Sequence, residues 1–168
     1  MKRGLLTLGI FVIVVILVDA GLVLNGKPSI TGEVGKIFGS EDGIGLKEEK
    51  IVTKIIDGDT VIVEGGENVR LLGIDCDEKG HKCFTPAKKR IEELTLGKSA
   101  VLEQEGDDLD MYKRELRYIF IDGKNINLQL VAEGFCVARF EGDSKYKEEI
   151  QQAESDAIKN KIGCKWGS

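Results

Sequence analysis

At 168 residues the chain has room for one compact domain and a short appendage. Its 42% hydrophobic and 32% charged residues are an ordinary globular composition. The balance of 24 basic against 29 acidic residues, a net charge of −5, argues against a general nucleic-acid binder that works through basic surface. It leaves room for an enzyme that concentrates a few arginines in one cleft.

Met1, Lys2 and Arg3 precede an uncharged run from Gly4 to Val18. That run is about fifteen residues, the upper end for a signal-peptide core. Continued across Asp19 through Ala20 to Leu24 it reaches about twenty, enough to span a bilayer as a helix. Val18-Asp19-Ala20 offers a small-residue cleavage site. Residues 1–24 are therefore expected to be a signal peptide or transmembrane anchor. The basic N-terminus puts the rest of the chain outside, either at the cell membrane or secreted. From Asn25 to Lys50 glycines recur without an apolar period, which reads as a flexible linker. Periodicity resumes at Ile51, so residues 51–168 are expected to form the folded domain.

Ile51 to Ile56 reads as a strand, Asp57-Gly58 as a tight turn, Thr60 to Val63 as a second strand, and Val69 to Ile74 as a third after Gly65-Gly66. A helix follows, with Thr85 as N-cap, Pro86 at the first helical position, a stripe of Ala87, Ile91 and Leu94, and Gly97 as its end. Ser99 to Glu105 is the fourth strand, Gly106 to Arg114 a polar loop, and Leu116 to Ile121 the fifth strand. Asn125 or Asn127 caps a short helix that stops at Gly134. Phe135 to Phe140 is extended, and Ser144 opens a last helix that ends before Gly163. The expected fold is α+β, mainly β: a five-stranded OB-like barrel with three helices.

Charged groups cluster at the strand ends. Asp57 and Asp59 flank the first turn, Arg70 opens the third strand, Asp75 and Glu78 follow it, and Asp110 and Arg114 precede the fifth strand. A phosphodiester hydrolase needs this inventory. Arginine forks grip the phosphoryl oxygens bidentately as charge builds on them. Carboxylates hold a hard cation, and a nearby Glu orients or deprotonates the attacking water. Taken singly, each residue has a structural reading as a turn, an edge charge or a cap. Arg70 and Asp75 also have opposite strand parity, so their meeting requires a bulge at Gly73 or an end to the strand before Asp75.

Three segments in order resemble the staphylococcal nuclease family. Asp57-Gly58-Asp59-Thr60-Val61 is similar to its first signature. The run from Arg70 to Glu78 is similar to Arg-Leu-x-x-x-Asp-x-Pro-Glu, and Asp110-Met111-Tyr112-Lys113-Arg114 to Asp-x-Tyr-Gly-Arg. Asn127 to Gly134 and Ala153 to Trp166 extend the likeness over residues 51–168. The resemblance implies calcium bound by Asp59, Asp75 and the backbone carbonyl of Cys76, with Asp57 in a supporting position. It implies Arg70 and Arg114 on the scissile phosphate, Glu78 on the water, and Tyr112 against a substrate phosphate. Departures are Asp77 for the family's proline, expected to loosen the turn bearing Glu78; Lys113 for a glycine; Met111 for a lysine; and Phe140 near a position that can hold tyrosine.

The single histidine, His81, has no partner in the motif and reads as a loop residue. The four cysteines lack the paired short spacings of a zinc site. Outside the cell Cys76, Cys83, Cys136 and Cys164 can form disulfides, with Cys76–Cys83 and Cys136–Cys164 the favoured arrangement; free thiols are the alternative. The leading function is an exported or membrane-anchored calcium-dependent nuclease acting on DNA or RNA, with the N-terminal segment in the membrane and no obligate protein partner. The alternative is a catalytically silent binding module on the same barrel.

Overall fold

A computed structural model describes residues 46–167. The expected signal or anchor, residues 1–24, lies outside the described residues, as does most of the expected linker.

The sheet begins with β1 (Lys47–Ile55), β2 (Thr60–Val63) and β3 (Asn68–Leu71), joined as an antiparallel meander. The short strand β4 (Ile74–Cys76) follows, then α1 (Phe84–Thr95), β5 (Ser99–Leu109) and β6 (Glu115–Ile121). The chain continues through β7 (Lys124–Asn125), α2 (Ile126–Ala132), β8 (Cys136–Ala138), α3 (Lys147–Lys159) and α4 (Gly163–Trp166). Strand order is β3-β2-β1-β5-β6-β7, and a parallel pairing of β3 with β6 closes five strands into a mixed barrel. Alternation of the strands sends Val52, Val61, Val69, Leu71, Leu102 and Ile119 into its interior, all essentially inaccessible to solvent. Ala87 and Ile91 of α1 and Leu130 of α2 complete the core.

β1 starts at Lys47, ahead of the expected start at Ile51. Its first half pairs Lys47–Ile51 with Ser99–Glu103 on β5. Those residues are mostly Lys and Glu, so backbone pairing makes the strand without an apolar period to announce it.

The expected third strand, Val69 to Ile74, is two strands. Gly73 takes a positive φ of 72° between β3 and β4, and a Cβ there would stand 2.7 Å from the Phe140 ring. The break turns β4 away from the barrel to pair with β8 instead. It also removes the parity conflict: Arg70 Nη2 reaches Asp75 Oδ1 at 3.3 Å.

Thr85 does not cap α1. The helix begins at Phe84 with Cys83 at the cap position and no side-chain cap of its own. The acceptor comes from a distance, Asp77 Oδ2, which takes the Cys83 N–H at 2.8 Å. Pro86 still lies in the first turn, where a missing N–H costs nothing. The polar loop is shorter than expected because β5 continues to Leu109 past a register break after Gln104. Asn125, not Asn127, caps α2, accepting from Leu128 N at 3.1 Å. Asn127 is buried within α2 and stitches the barrel: it accepts from Ile119 N and donates to the carbonyls of Leu72 and Arg117. The last long helix starts at Lys147, later than Ser144, and the short α4 is a helix beyond the three expected.

All four cysteines are bonded, but the pairs are Cys76–Cys136 and Cys83–Cys164 rather than Cys76–Cys83 and Cys136–Cys164. Cys76 and Cys136 face each other in the β4–β8 pairing, with Cα atoms 4.3 Å apart. The β4–β8 register, which sets Cys136 opposite Cys76, decides the arrangement.

Candidate active site

The turn between β1 and β2 is closed by Ile56 and Asp57 N–H groups donating to Thr60 O. Gly58 lets this turn press against the rest of the domain: a Cβ there would lie 2.7 Å from Cys76 Cβ and 2.8 Å from Ala87 Cβ. Asp57 Oδ1 accepts the Asp59 N–H at 3.1 Å, which ties the two aspartates of the turn together.

Asp59 is 6% exposed, and nearly every lone pair it has is used. Its Oδ2 accepts the Cys76 N–H at 2.8 Å and lies 3.4 Å from Arg70 Nη2. Its Oδ1 accepts from Thr60 Oγ1 at 3.2 Å. Burial pushes its carboxyl up to about 6, against the opposing pull of Arg70 and the Cys76 N–H. Burial thus outweighs what Arg70 and the Cys76 N–H return to this carboxylate.

Arg70 bridges Asp59 and Asp75 through Nη2, while its Nη1 donates to its neighbour's carbonyl, Leu71 O, at 2.6 Å. Asp75 is the open member of the pair, with its side chain half exposed. Arg114 arrives from the other side. Asp110 builds the tight turn before β6 by accepting the Tyr112 and Arg114 N–H groups on Oδ1 and Arg114 Nε on Oδ2 at 2.7 Å. Burial opposes the charge on Asp110, but these bonds outweigh it and hold the carboxyl below the usual range. Arg114 Nη1 then reaches Thr60 Oγ1 at 3.4 Å. The result is a continuous chain: Arg114 to Thr60 to Asp59 to Arg70 to Asp75. Thr60 is the link that sequence reading passed over, although it stands directly after Asp59 in the first signature.

Both arginines line a cleft of about 380 Å³. Phe140 and Arg139 form part of its wall, and Tyr118 its floor, with the Tyr118 hydroxyl against Ser144 Oγ, which donates on to Glu105. Burial pushes the Tyr118 hydroxyl up to about 12, so it stays a neutral donor. Tyr112 is 72% exposed, its ring 5.4 Å from the Arg114 guanidinium. Glu78 stands apart from the network. It is exposed, and its backbone carbonyl accepts from His81 N at 3.1 Å. Asp77, expected to loosen this loop, braces it: one oxygen takes the Cys83 N–H and the other pairs with Lys165.

A divalent cation at this site would have to be held by the carboxylates around Arg70. Among the described residues no three His, Cys, Asp or Glu side chains converge. What converges is two carboxylates, Asp59 and Asp75, on either side of one guanidinium nitrogen. All are hard oxygen donors, which suit a hard cation that keeps part of its water shell.

Residues 68–166 match the family described as staphylococcal nuclease homologue. The thermonuclease of Staphylococcus intermedius is 31% identical over 125 residues, covering 68% of this chain and 74% of its own length. That of Staphylococcus hyicus is 32% identical over 120 residues, 66% of this chain and 71% of its own. Endonuclease YncB of Bacillus subtilis is 33% identical over 121 residues, 65% of this chain and 57% of its own. The fold and the strand-end cluster of arginines and carboxylates define a nuclease homologue. The chain belongs to the staphylococcal nuclease family.

Proposed function

We propose that the protein is a calcium-dependent phosphodiesterase that hydrolyses DNA or RNA in the cleft beside Arg70 and Arg114, within an OB-like domain. The observation that carries this reading is the linkage of both guanidinium groups through Asp59 and Thr60. Arg70 is held by two carboxylates and a carbonyl, and Arg114 by the Asp110 fork, so neither spends ordering entropy when substrate arrives. Each presents a planar donor array to phosphate oxygens, which gain charge as water attacks phosphorus and the bridging P–O bond lengthens. Glu78, three residues beyond Asp75, has a free exposed carboxylate suited to orient that water and take its proton. Calcium bound by Asp59, Asp75 and the Cys76 carbonyl would add fixed positive charge beside the phosphate. Tyr112 would contact a neighbouring phosphate. The family likeness implies cleavage on the 5′ side of phosphorus, leaving 3′-phosphates.

We further propose that residues 1–24 export or anchor the chain and that the domain expected over residues 51–168, whose first strand already starts at Lys47, acts outside the cytoplasm. The two disulfides support that placement, since such bonds persist in oxidising compartments.

A second reading is a silent nucleic-acid or protein binding module. It is favoured by the separation of Glu78 from the other site residues and by the net charge of −5. Incubating the full chain with single- and double-stranded DNA and with RNA, in calcium and in chelator, separates the two. A nuclease cleaves in calcium and stops in chelator; a binding module shifts the mobility of the substrate and leaves it whole.

A further inference from the structure

The end of the chain is fastened to the loop that carries Glu78. That loop leaves β4 at Asp77 and enters α1 at Cys83. Three bonds tie it to residues 164–167: the Cys83–Cys164 disulfide, the ion pair of Lys165 Nζ with Asp77 Oδ1, and the donation of Lys82 Nζ to Gly167 O at 3.1 Å. The second oxygen of Asp77 holds the Cys83 N–H, so one carboxylate joins both ends of the loop to the C-terminal helix. Both members of the ion pair are largely sheltered, with side chains 19% and 18% exposed. Lys165 is itself anchored, since its N–H donates to Gly134 O at 3.0 Å, beyond the end of α2.

Glu78 follows Asp77 directly, and its side chain is exposed. Its direction is therefore set by the backbone on either side, which is Asp77 before it and the His81 N–H on its own carbonyl. Asp77 has no ring to fix φ, so the hold on it comes from its partners.

We infer that Lys165 is a positioning residue: through Asp77 it fixes the loop that aims Glu78, and so governs turnover rather than substrate affinity. This inference rests on the proposed role of Glu78. Removing the ion pair leaves the loop tied to residues 164–167 only through Lys82 and Cys83, at its far end from Glu78. The loop then samples other directions, and only the step that needs Glu78 suffers.

The test compares Lys165→Ala and Lys165→Arg in the full chain, each with Glu78 present and in the Glu78→Gln background. Lys165→Ala is expected to lower kcat about tenfold and change KM by less than about twofold, with Lys165→Arg restoring most of the rate. In the Glu78→Gln background the same change should lower kcat by less than about twofold, because the group it positions is already gone. Amide exchange at His81 and Cys83, whose N–H groups are bonded within the loop, should quicken in Lys165→Ala in both backgrounds. An unchanged kcat, an equal loss with and without Glu78, or unchanged exchange would each overturn the positioning role. A wild-type chain that cleaves no substrate would remove the nuclease reading and this inference with it, an outcome distinct from a cleaving enzyme indifferent to Lys165.

Discussion

The backbone N–H of Cys76 donates to Oδ2 of Asp59 at 2.8 Å, joining the first turn to the end of β4 across 17 residues. This bond holds Asp59, one of the two carboxylates proposed to bind calcium, against the residue that follows the other, Asp75. It depends on Gly58, which lets the turn lie against Cys76 and α1.

Gly58→Ala should therefore act at the site as well as on stability. The added Cβ would stand 2.7 Å from Cys76 Cβ, so backbone must move. Overpacking of this kind costs roughly 1–3 kcal/mol. Urea denaturation should show that loss, and kcat should fall with it, because Asp59 shifts relative to Asp75. A variant as stable as the wild type would mean that the turn adjusts freely.

Lys113→Gly should stabilise the protein. Lys113 holds a left-handed φ of 62°, where the family signature has glycine. Relief of that strain, less the added freedom of the unfolded chain, should amount to about 0.5–1 kcal/mol. Thermal unfolding checks it: a higher midpoint is expected, and a lower one would show that the Lys113 side chain contributes contacts that outweigh the strain.

Disulfide mapping of unreduced peptides should recover Cys76–Cys136 and Cys83–Cys164. Each closes a long loop, with separations of 60 and 81 residues. Replacing both members of either pair by serine should cost roughly 2–4 kcal/mol by restoring freedom to the unfolded chain. Recovery of a Cys76–Cys83 peptide would contradict the β4–β8 register.

Glu133 makes a forked pair with Arg90, tying the end of α2 to α1 at 2.5 and 2.8 Å. The hydrogen bonds from Arg90 hold its carboxyl below the ordinary value of 4.5, while partial burial opposes them. Its folded pKa is thus lower than its unfolded one. The stability it contributes is fully present above the unfolded value and is lost as pH falls through the folded value. Glu133→Gln should cost roughly 1 kcal/mol near neutral pH. The difference from wild type should hold down to about pH 5 and shrink in more acid solution. A difference that grows on acidification would reverse the sign of the linkage.

The barrel was legible where side chains alternate. Thr60 to Val63 and Leu116 to Ile121 announce themselves by apolar runs and Gly-containing turns, and β2 occupies Thr60–Val63 as read. Lys47–Lys50 was not legible, because a charged half-strand is made by its backbone partners. The candidate site was legible as a set of residue types at strand ends, and the break at Gly73 was foreseeable from the parity of Arg70 and Asp75. Three features needed the third dimension. The Thr60 bridge depends on Arg114 arriving from another turn. The disulfide pairs depend on β8 lying beside β4. The clasp of Lys165 on Asp77 spans 88 residues and leaves no local pattern.

Arg70, Arg114 and Glu78 are proposed to act on a phosphodiester in the transition state. The calcium-dependent cleavage rate of the full chain, measured beside nucleic-acid affinity for wild type, Arg70→Lys, Arg114→Lys and Glu78→Gln, tests those roles. Losing one charge-stabilising group should lower turnover by about two to three orders of magnitude, far more than it weakens binding, with folding intact. Variants that cleave as fast as the wild type, or a wild type that binds nucleic acid and never cuts it in calcium, would contradict these catalytic roles.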